Sequence, residues 1–197
     1  MSQPSSSAFP IKNGSWTITD SQIAYQTPFV KVREDSVTLG DYEGVFSVVS
    51  FGSGNGSASC VLPVDLNTKK AYLGKEFRYA LGREILGVCV GHVDEGETPE
   101  VAAKRELSEE LGISANNFIH LGVCHQGLTN LQGEIHLYLA TDLTFGKSDN
   151  ENTESIEMFE FDFKKVVEMA YTDEMLWSTG NYCIVKADKY LRENGLI

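Results

Sequence analysis

The sequence predicts an α/β sandwich with mixed β-sheets, preceded by a small antiparallel β layer. Short alternating apolar runs lie both before and after one strongly capped helix, and two further helix-like stretches close the chain. With 197 residues, 42% of them apolar, the chain is long enough to bury one good core. We expect a flexible lead and β layer over residues 1–55 and the principal domain over 56–197.

The elements follow in order. Residues 1–13 are rich in Ser and Pro and read as the lead-in. Alternating runs at 15–18, 29–32, 36–39 and 45–49 read as hairpins of a small antiparallel sheet. A Gly/Ser loop covers 51–59, strands are expected at 58–64 and 70–77, and an apolar run at 85–90 leads into Gly91. The clearest helix spans 98–111. Thr98 caps its first amides, Pro99 suits the first helical position, and Gly112 suits its left-handed end. Val101, Ala102, Leu107 and Leu111 supply its apolar positions. Strands are expected at 118–126, 134–141 and 155–161, with a polar loop from Phe145 to Glu154. Helices at 163–170 and 182–191 complete the chain, and there is no internal repeat.

Charge narrows the function classes. The chain carries 28 acidic and 16 basic residues, a formal charge of −12. Proteins that track nucleic-acid backbones need a basic surface, so binding of that kind is disfavoured. An anionic substrate is still allowed, because bound metal reverses the local sign. Cys60, Cys89, Cys124 and Cys183 lie far apart and read as buried thiols. The histidines at 92, 120, 125 and 136 also lack metal-site spacing. There is no membrane-spanning run and no signal-peptide pattern, so the expected location is cytoplasmic.

The informative stretch runs from Gly91 to Ile113. Helical residues three and four apart share a face, so Glu106 neighbours both Glu109 and Glu110. Such like-charge pairs each cost about 0.2–0.5 kcal/mol. They also sit in the second half of the helix, where the dipole disfavours negative charge. A hard cation would turn this cost into ligation, and carboxylate oxygens suit Mg²⁺ or Mn²⁺. Arg105 offers a planar fork that can orient a carboxylate, and Glu97, just before the helix, can join the cluster. The alternative is an ordinary solvated acidic face. The agreement of the glycines, Arg105 and the preceding loop favours a site.

The stretch resembles the Nudix box. That pattern is Gly, five residues, Glu, seven residues, Arg-Glu, an aliphatic residue, any residue, Glu-Glu, any residue, Gly and an aliphatic residue. Every fixed position is met between Gly91 and Ile113. The resemblance implies a Nudix-type α/β/α sandwich in which the box forms a loop, a helix and a loop. It implies divalent-metal-dependent hydrolysis of nucleoside diphosphates linked to a second group. By resemblance, Glu106, Glu109 and Glu110 are catalytic residues and metal ligands, Glu97 adds to them, and Arg105 orients a ligand carboxylate.

More of the chain is similar to the ADP-ribose and ADP-sugar pyrophosphatases of this family. Phe77-Arg78-Tyr79 with Gly82 and Arg83, Gly127-Leu128-Thr129-Asn130, Ile135–Ala140, Glu151–Ile156 and Tyr171–Met175 all resemble that group. The likeness implies that Arg78 meets substrate phosphate or ribose. It also implies that Glu154, in a loop expected to close over the site, ligates metal or acts as base; Glu109 or Glu110 is the alternative base. Many of those enzymes carry Glu-x-Pro-Ala-Gly into the box. Here the run is Gly87-Val88-Cys89-Val90-Gly91, and Gln126 replaces the proline before the loop glycine. The Val90 carbonyl can still ligate metal, since that needs no particular side chain.

Trp16 and Phe29 are candidates to stack on the substrate base, with Tyr25 and then Trp177 behind them. The likeness also implies a homodimer whose partner completes the adenine pocket. The expected reaction is therefore cleavage of ADP-ribose or another ADP-sugar to AMP and a sugar phosphate. The alternatives are a Nudix hydrolase for another nucleotide sugar or dinucleotide, and a non-catalytic nucleotide-binding module.

Overall fold

The computed structural model describes residues 9–52, 56–149, 155–172, 174–175 and 177–197. The described residues fall into two compact units: those within 9–57, 92–95 and 125–134 form one, and the rest form the other.

The first unit is an antiparallel sheet of β1 (Ile11–Asn13), β2 (Trp16–Gln26), β3 (Val30–Leu39) and β4 (Tyr42–Phe51), in that spatial order. The two runs expected at 29–32 and 36–39 are one strand, β3. Their charged connection, Arg33-Glu34-Asp35, read as a break. In the fold Asp35 is buried, takes both Nε and Nη2 of Arg33 at 2.9 Å, and accepts from Ser21 Oγ at 2.6 Å. A buried carboxylate satisfied by three donors can stay within a strand.

The second unit is the expected sandwich. Its sheet contains β5 (Ala58–Asp65), β6 (Lys70–Arg78), β7 (Arg83–Gly87), β8 (Cys89–His92), β9 (Ile113–Cys124), β10 (Ile135–Phe145) and β11 (Glu157–Asp162). The main path is β11-β6-β5-β10-β9, with β7 on β6 and β8 on β5. The β10–β5 pair is parallel, whereas β10–β9, β5–β6, β6–β7 and β11–β6 are antiparallel, so the sheet is mixed.

Strand alternation divides the core into two layers. Cys60, Leu62, Val64, Ala71, Leu73, Leu137 and Leu139 face one side. There they pack with Phe163 and Val166 of α2 (Phe163–Ala170) and with Cys183, Ile184 and Leu191 of α3 (Ser178–Glu193). Val61, Tyr72, Cys89, Tyr138 and Ala140 face the other side, against Ala103, Leu107 and Leu111 of α1 (Pro99–Leu111). A central strand covered on both faces reads as a nearly continuous apolar run, which is what β5 shows. Each fully buried Leu contributes about 1.5–3 kcal/mol by leaving water, which makes these two layers the source of stability.

Several details differ from expectation. Strand β9 begins at Ile113, directly after the α1 cap, because its polar start pairs with the end of β10 through Leu143↔Ala115 and Thr144↔Ser114. Helix α3 begins at Ser178 rather than 182. Gly180 lies within its first turn, where a Cβ would stand 2.8 Å from the Trp177 ring and 3.3 Å from Val88. Glycine there is a packing requirement and not a helix stop. In α1, Val101 is exposed, and Ala103 takes its place in the buried stripe Ala103, Leu107, Leu111. No helix among the described residues is long and apolar enough to cross a membrane.

Candidate active site

The acidic helix is built as its sequence implies. Thr98 is extended, and its hydroxyl accepts from Val101 N–H at 3.3 Å. Gly112 ends the helix at φ 62°, a left-handed conformation that suits glycine. The chain after β10 returns to this end: Gly146 N–H donates to the Gly112 carbonyl at 2.7 Å, and Asp149 N–H donates to that of Glu109 at 3.0 Å. Ser59 of β5 donates its hydroxyl to the Pro99 carbonyl at 2.5 Å, fixing the other end.

Arg105 is the organising side chain. Its Nε and Nη2 grip both oxygens of Glu97 at 3.0 and 2.9 Å, while Nη1 donates to Glu106 at 2.7 Å and Glu109 at 3.1 Å. Its fork thus reaches back across the loop before the helix as well as along the helix. Hydrogen bonding to Glu97 above all, then to Glu106 and Glu109, holds the guanidinium firmly protonated against the opposing cost of burial. The Glu97 and Glu106 side chains are 19% and 14% exposed, whereas Glu109 is 46% exposed, so Glu109 is the most open of the three to solvent.

The strand before the box closes the cluster from beneath. Val90 N–H donates to a Glu110 carboxylate oxygen at 3.3 Å. Gly91 lies so close under Glu106 that a Cβ would fall 1.8 Å from its carboxyl carbon. Sequence pointed to this glycine through a motif, and the structure supplies its physical reason: the Glu106 side chain occupies the space where another residue would carry its own.

The other predicted residues are placed separately. Arg78 ends β6 and pairs through Nη2 with Glu76 at 2.9 Å. Trp16 packs edge-on against Tyr42 and Phe46, with ring centroids 5.9 and 5.1 Å away, within the N-terminal sheet. Phe29 lies in the β2–β3 turn with 80% of its surface exposed. Glu154 lies outside the described residues. Sequence reasoning passed over Cys89, which the fold brings against Glu110. Burial pushes its thiol well up, and the charge of Glu110 and a hydrogen bond to it act in the same direction. The signal was present in the departure from the proline-bearing pattern at that position.

The donor set suits a hard divalent cation, since Glu97, Glu106, Glu109 and Glu110 lie within one helix and the loop before it. Among the described residues, no three His, Cys, Asp or Glu side chains are set to hold a metal ion. Glu97, Glu106 and Glu109 converge on Arg105. The chemistry of the donors therefore fits, and the guanidinium sets their present spacing.

The NUDIX domain model matches residues 55–174, more than half of the chain. The ADP-ribose pyrophosphatase of Bacillus subtilis (strain 168) is 26% identical over 117 residues, which cover 58% of this chain and 63% of that protein. The chain thus spans less than two thirds of that relative's length. A solved structure described as an ADP compounds hydrolase has the same fold, with a TM-score of 0.79 at 17% identity, covering 95% of this chain and 100% of that one. The complete box, the sandwich that carries it and the match across its central domain agree: the chain belongs to the Nudix family.

Proposed function

We propose that the protein hydrolyses the pyrophosphate bond of a nucleoside diphosphate derivative, with ADP-ribose or another ADP-sugar as the substrate class, yielding AMP and a sugar phosphate. The observation that carries this reading is the gathering of Glu97, Glu106 and Glu109 on Arg105, with Glu110 held at Val90 N–H. The ADP-ribose pyrophosphatase named above supports the substrate class.

Glu106, Glu109 and Glu110, helped by Glu97 and the Val90 carbonyl, would hold Mg²⁺ or Mn²⁺. Bound divalent cations neutralise pyrophosphate charge and acidify a water molecule. The chain's own part is orientation and proton transfer. Arg105 keeps the carboxylates facing one place, which lowers the reorganisation needed when an anionic substrate arrives. Glu109, more open than Glu97 and Glu106, is our assignment for the carboxylate that accepts the proton of the attacking water. Glu154 keeps its proposed role as an additional ligand or base. Arg78, released from Glu76, would meet substrate phosphate, and Trp16 and Phe29 would meet the base. The likeness to ADP-sugar enzymes implies a homodimer, which light scattering on the purified protein would test.

The decisive experiment is turnover in Mg²⁺ across ADP-ribose, ADP-glucose, GDP-mannose, NADH, a diadenosine polyphosphate and coenzyme A, with products identified by mass. AMP and ribose 5-phosphate from ADP-ribose, lost in Glu109→Gln, is the expected result. Preference for another member would discard the ADP-sugar assignment and keep the pyrophosphohydrolase. No cleavage of any member by folded, metal-loaded protein would overturn the activity.

A further inference from the structure

The sheet carries a second concavity on the face turned away from the acidic helix. Between strands β9 and β10 the register sets Thr141 beside Asn117 and Leu139 beside Ile119. Residues two apart on a strand share a face, so a polar pair and an apolar pair follow each other on one surface. Leu139 packs in the layer of α2 and α3, which identifies that surface as the one opposite α1. These four side chains line a cleft of about 300 Å³, closed by Tyr190 and Leu191 of α3 and by Leu196. Leu139 and Leu191 are fully buried and form its floor, whereas Asn117 and Leu196 are exposed and form its rim. The outer wall is tied down: Leu196 N–H donates to the Leu191 carbonyl at 2.9 Å, and Lys69 Nζ donates to that of Leu196 at 2.6 Å.

Thr141 is the informative residue. It is 5% exposed, yet its hydroxyl has no hydrogen-bond partner among the described residues. Its oxygen is not sealed within the core but reaches the cleft that the residue lines. Buried hydroxyls are normally satisfied, and leaving one unpaired is costly, so a molecule in the cleft gains by supplying the partner. Among the described residues, no carboxylate, ammonium, guanidinium or imidazole lines the cleft. A charge brought here would lose water without gaining a counter-charge, so the chemistry favours an uncharged guest. The volume stands at the lower end of the range for small-molecule sites, roughly 300–1,000 Å³, which suits one ring rather than a nucleotide.

We propose that this cleft binds a small uncharged molecule made of one apolar ring and one hydrogen-bonding group, a phenol being its simplest form. The ring lies against Ile119, Leu139 and Leu191, and its polar group meets the Thr141 hydroxyl. The competing explanation is a cleft that takes only water, bound to Thr141 and Asn117. The site shares no residue with the acidic cluster, so it stands or falls separately from the hydrolase reading.

Methyl proton–carbon NMR spectra of the full chain, recorded during titration with p-cresol, toluene and p-toluate, test this. We expect p-cresol to move the methyl signals of Leu139, Thr141 and Leu191 in a saturable way. It should bind about 5-fold more tightly than toluene, the effect of one net hydrogen bond. The anion p-toluate should leave the same signals in place. Thr141→Val keeps the branching of the side chain and removes the hydroxyl, and it should abolish the preference for p-cresol over toluene. No saturable movement with p-cresol means that water alone occupies the cleft, and it overturns the proposal. So does binding of toluene or p-toluate by wild type as tightly as p-cresol, or a preference for p-cresol that survives in Thr141→Val. The comparison of the three probes on wild type decides the matter even where the variant does not fold.

Discussion

At the scale of single residues, the site depends on two kinds of exclusion. Gly91 keeps a side chain out of the space that Glu106 needs. Gly91→Ala should leave the sandwich folded yet displace Glu106, lowering Mg²⁺-dependent turnover at least about 10-fold, the effect of misplacing a group by roughly 1 Å. Circular dichroism and turnover measured on the same preparation check this; full activity would show that Glu106 can stand elsewhere. Arg105 shows why charge alone does not suffice. Lysine keeps the charge but lacks the planar fork that meets both Glu97 oxygens and still reaches Glu106 and Glu109. Arg105→Lys should therefore lose most of the activity, with little change in net charge or in the thermal midpoint.

At the scale of elements, α1 is a helix because its ends are specified, not because its face is favourable. Its acidic stripe works against it, while the Thr98 cap, Pro99 and Gly112 work for it. Thr98→Ala should cost about 1 kcal/mol, the usual value of a lost N-cap, read from the urea midpoint. Gly112→Ala should cost more. It combines a left-handed φ with a Cβ only 2.7 Å from the backbone nitrogen of Ser148, adding a collision to a strain of about 1–3 kcal/mol. Both helix caps were legible in the sequence because capping is local chemistry. The full extent of β3 and the start of α3 were not. Asp35 needs Ser21 from the neighbouring strand as well as Arg33 on its own, and Gly180 needs Val88 as well as the nearby Trp177 ring, and the distant partners leave no local pattern.

At the scale of the molecule, two apolar layers flank one mixed sheet, and the buried thiols belong to them. Cys60 and Cys183 are 123 positions apart, yet Cys183 Sγ lies 3.9 Å from the Cys60 carbonyl and 3.6 Å from that of Tyr138. Burial, and then the neighbouring Cys183, push the Cys60 thiol well above its ordinary range. The folded state therefore keeps a proton that the unfolded chain releases. Stability is fully present below the unfolded thiol value, about 8.5, and falls above it by up to about 1.4 kcal/mol per pH unit for each such thiol until the folded group ionises. Thermal midpoints recorded from pH 7 to 10 should drop at the alkaline end, and less steeply in Cys60→Ala. Replacing Leu62, which is wholly buried, by alanine should cost about 2–5 kcal/mol.

The sequence alone determined the α/β class, the capped acidic helix, the spacing that places Glu106, Glu109 and Glu110 on one face, and the family resemblance. These are properties of short segments, whose periodicity and caps act over one or two helical turns. Tertiary structure alone decided that Arg105 grips both oxygens of Glu97 and that Gly91 makes room for Glu106. It also decided which cysteines meet. Each of those contacts joins side chains whose distance is set by how strands register and how a helix seats on a sheet, and that geometry comes from packing the whole core.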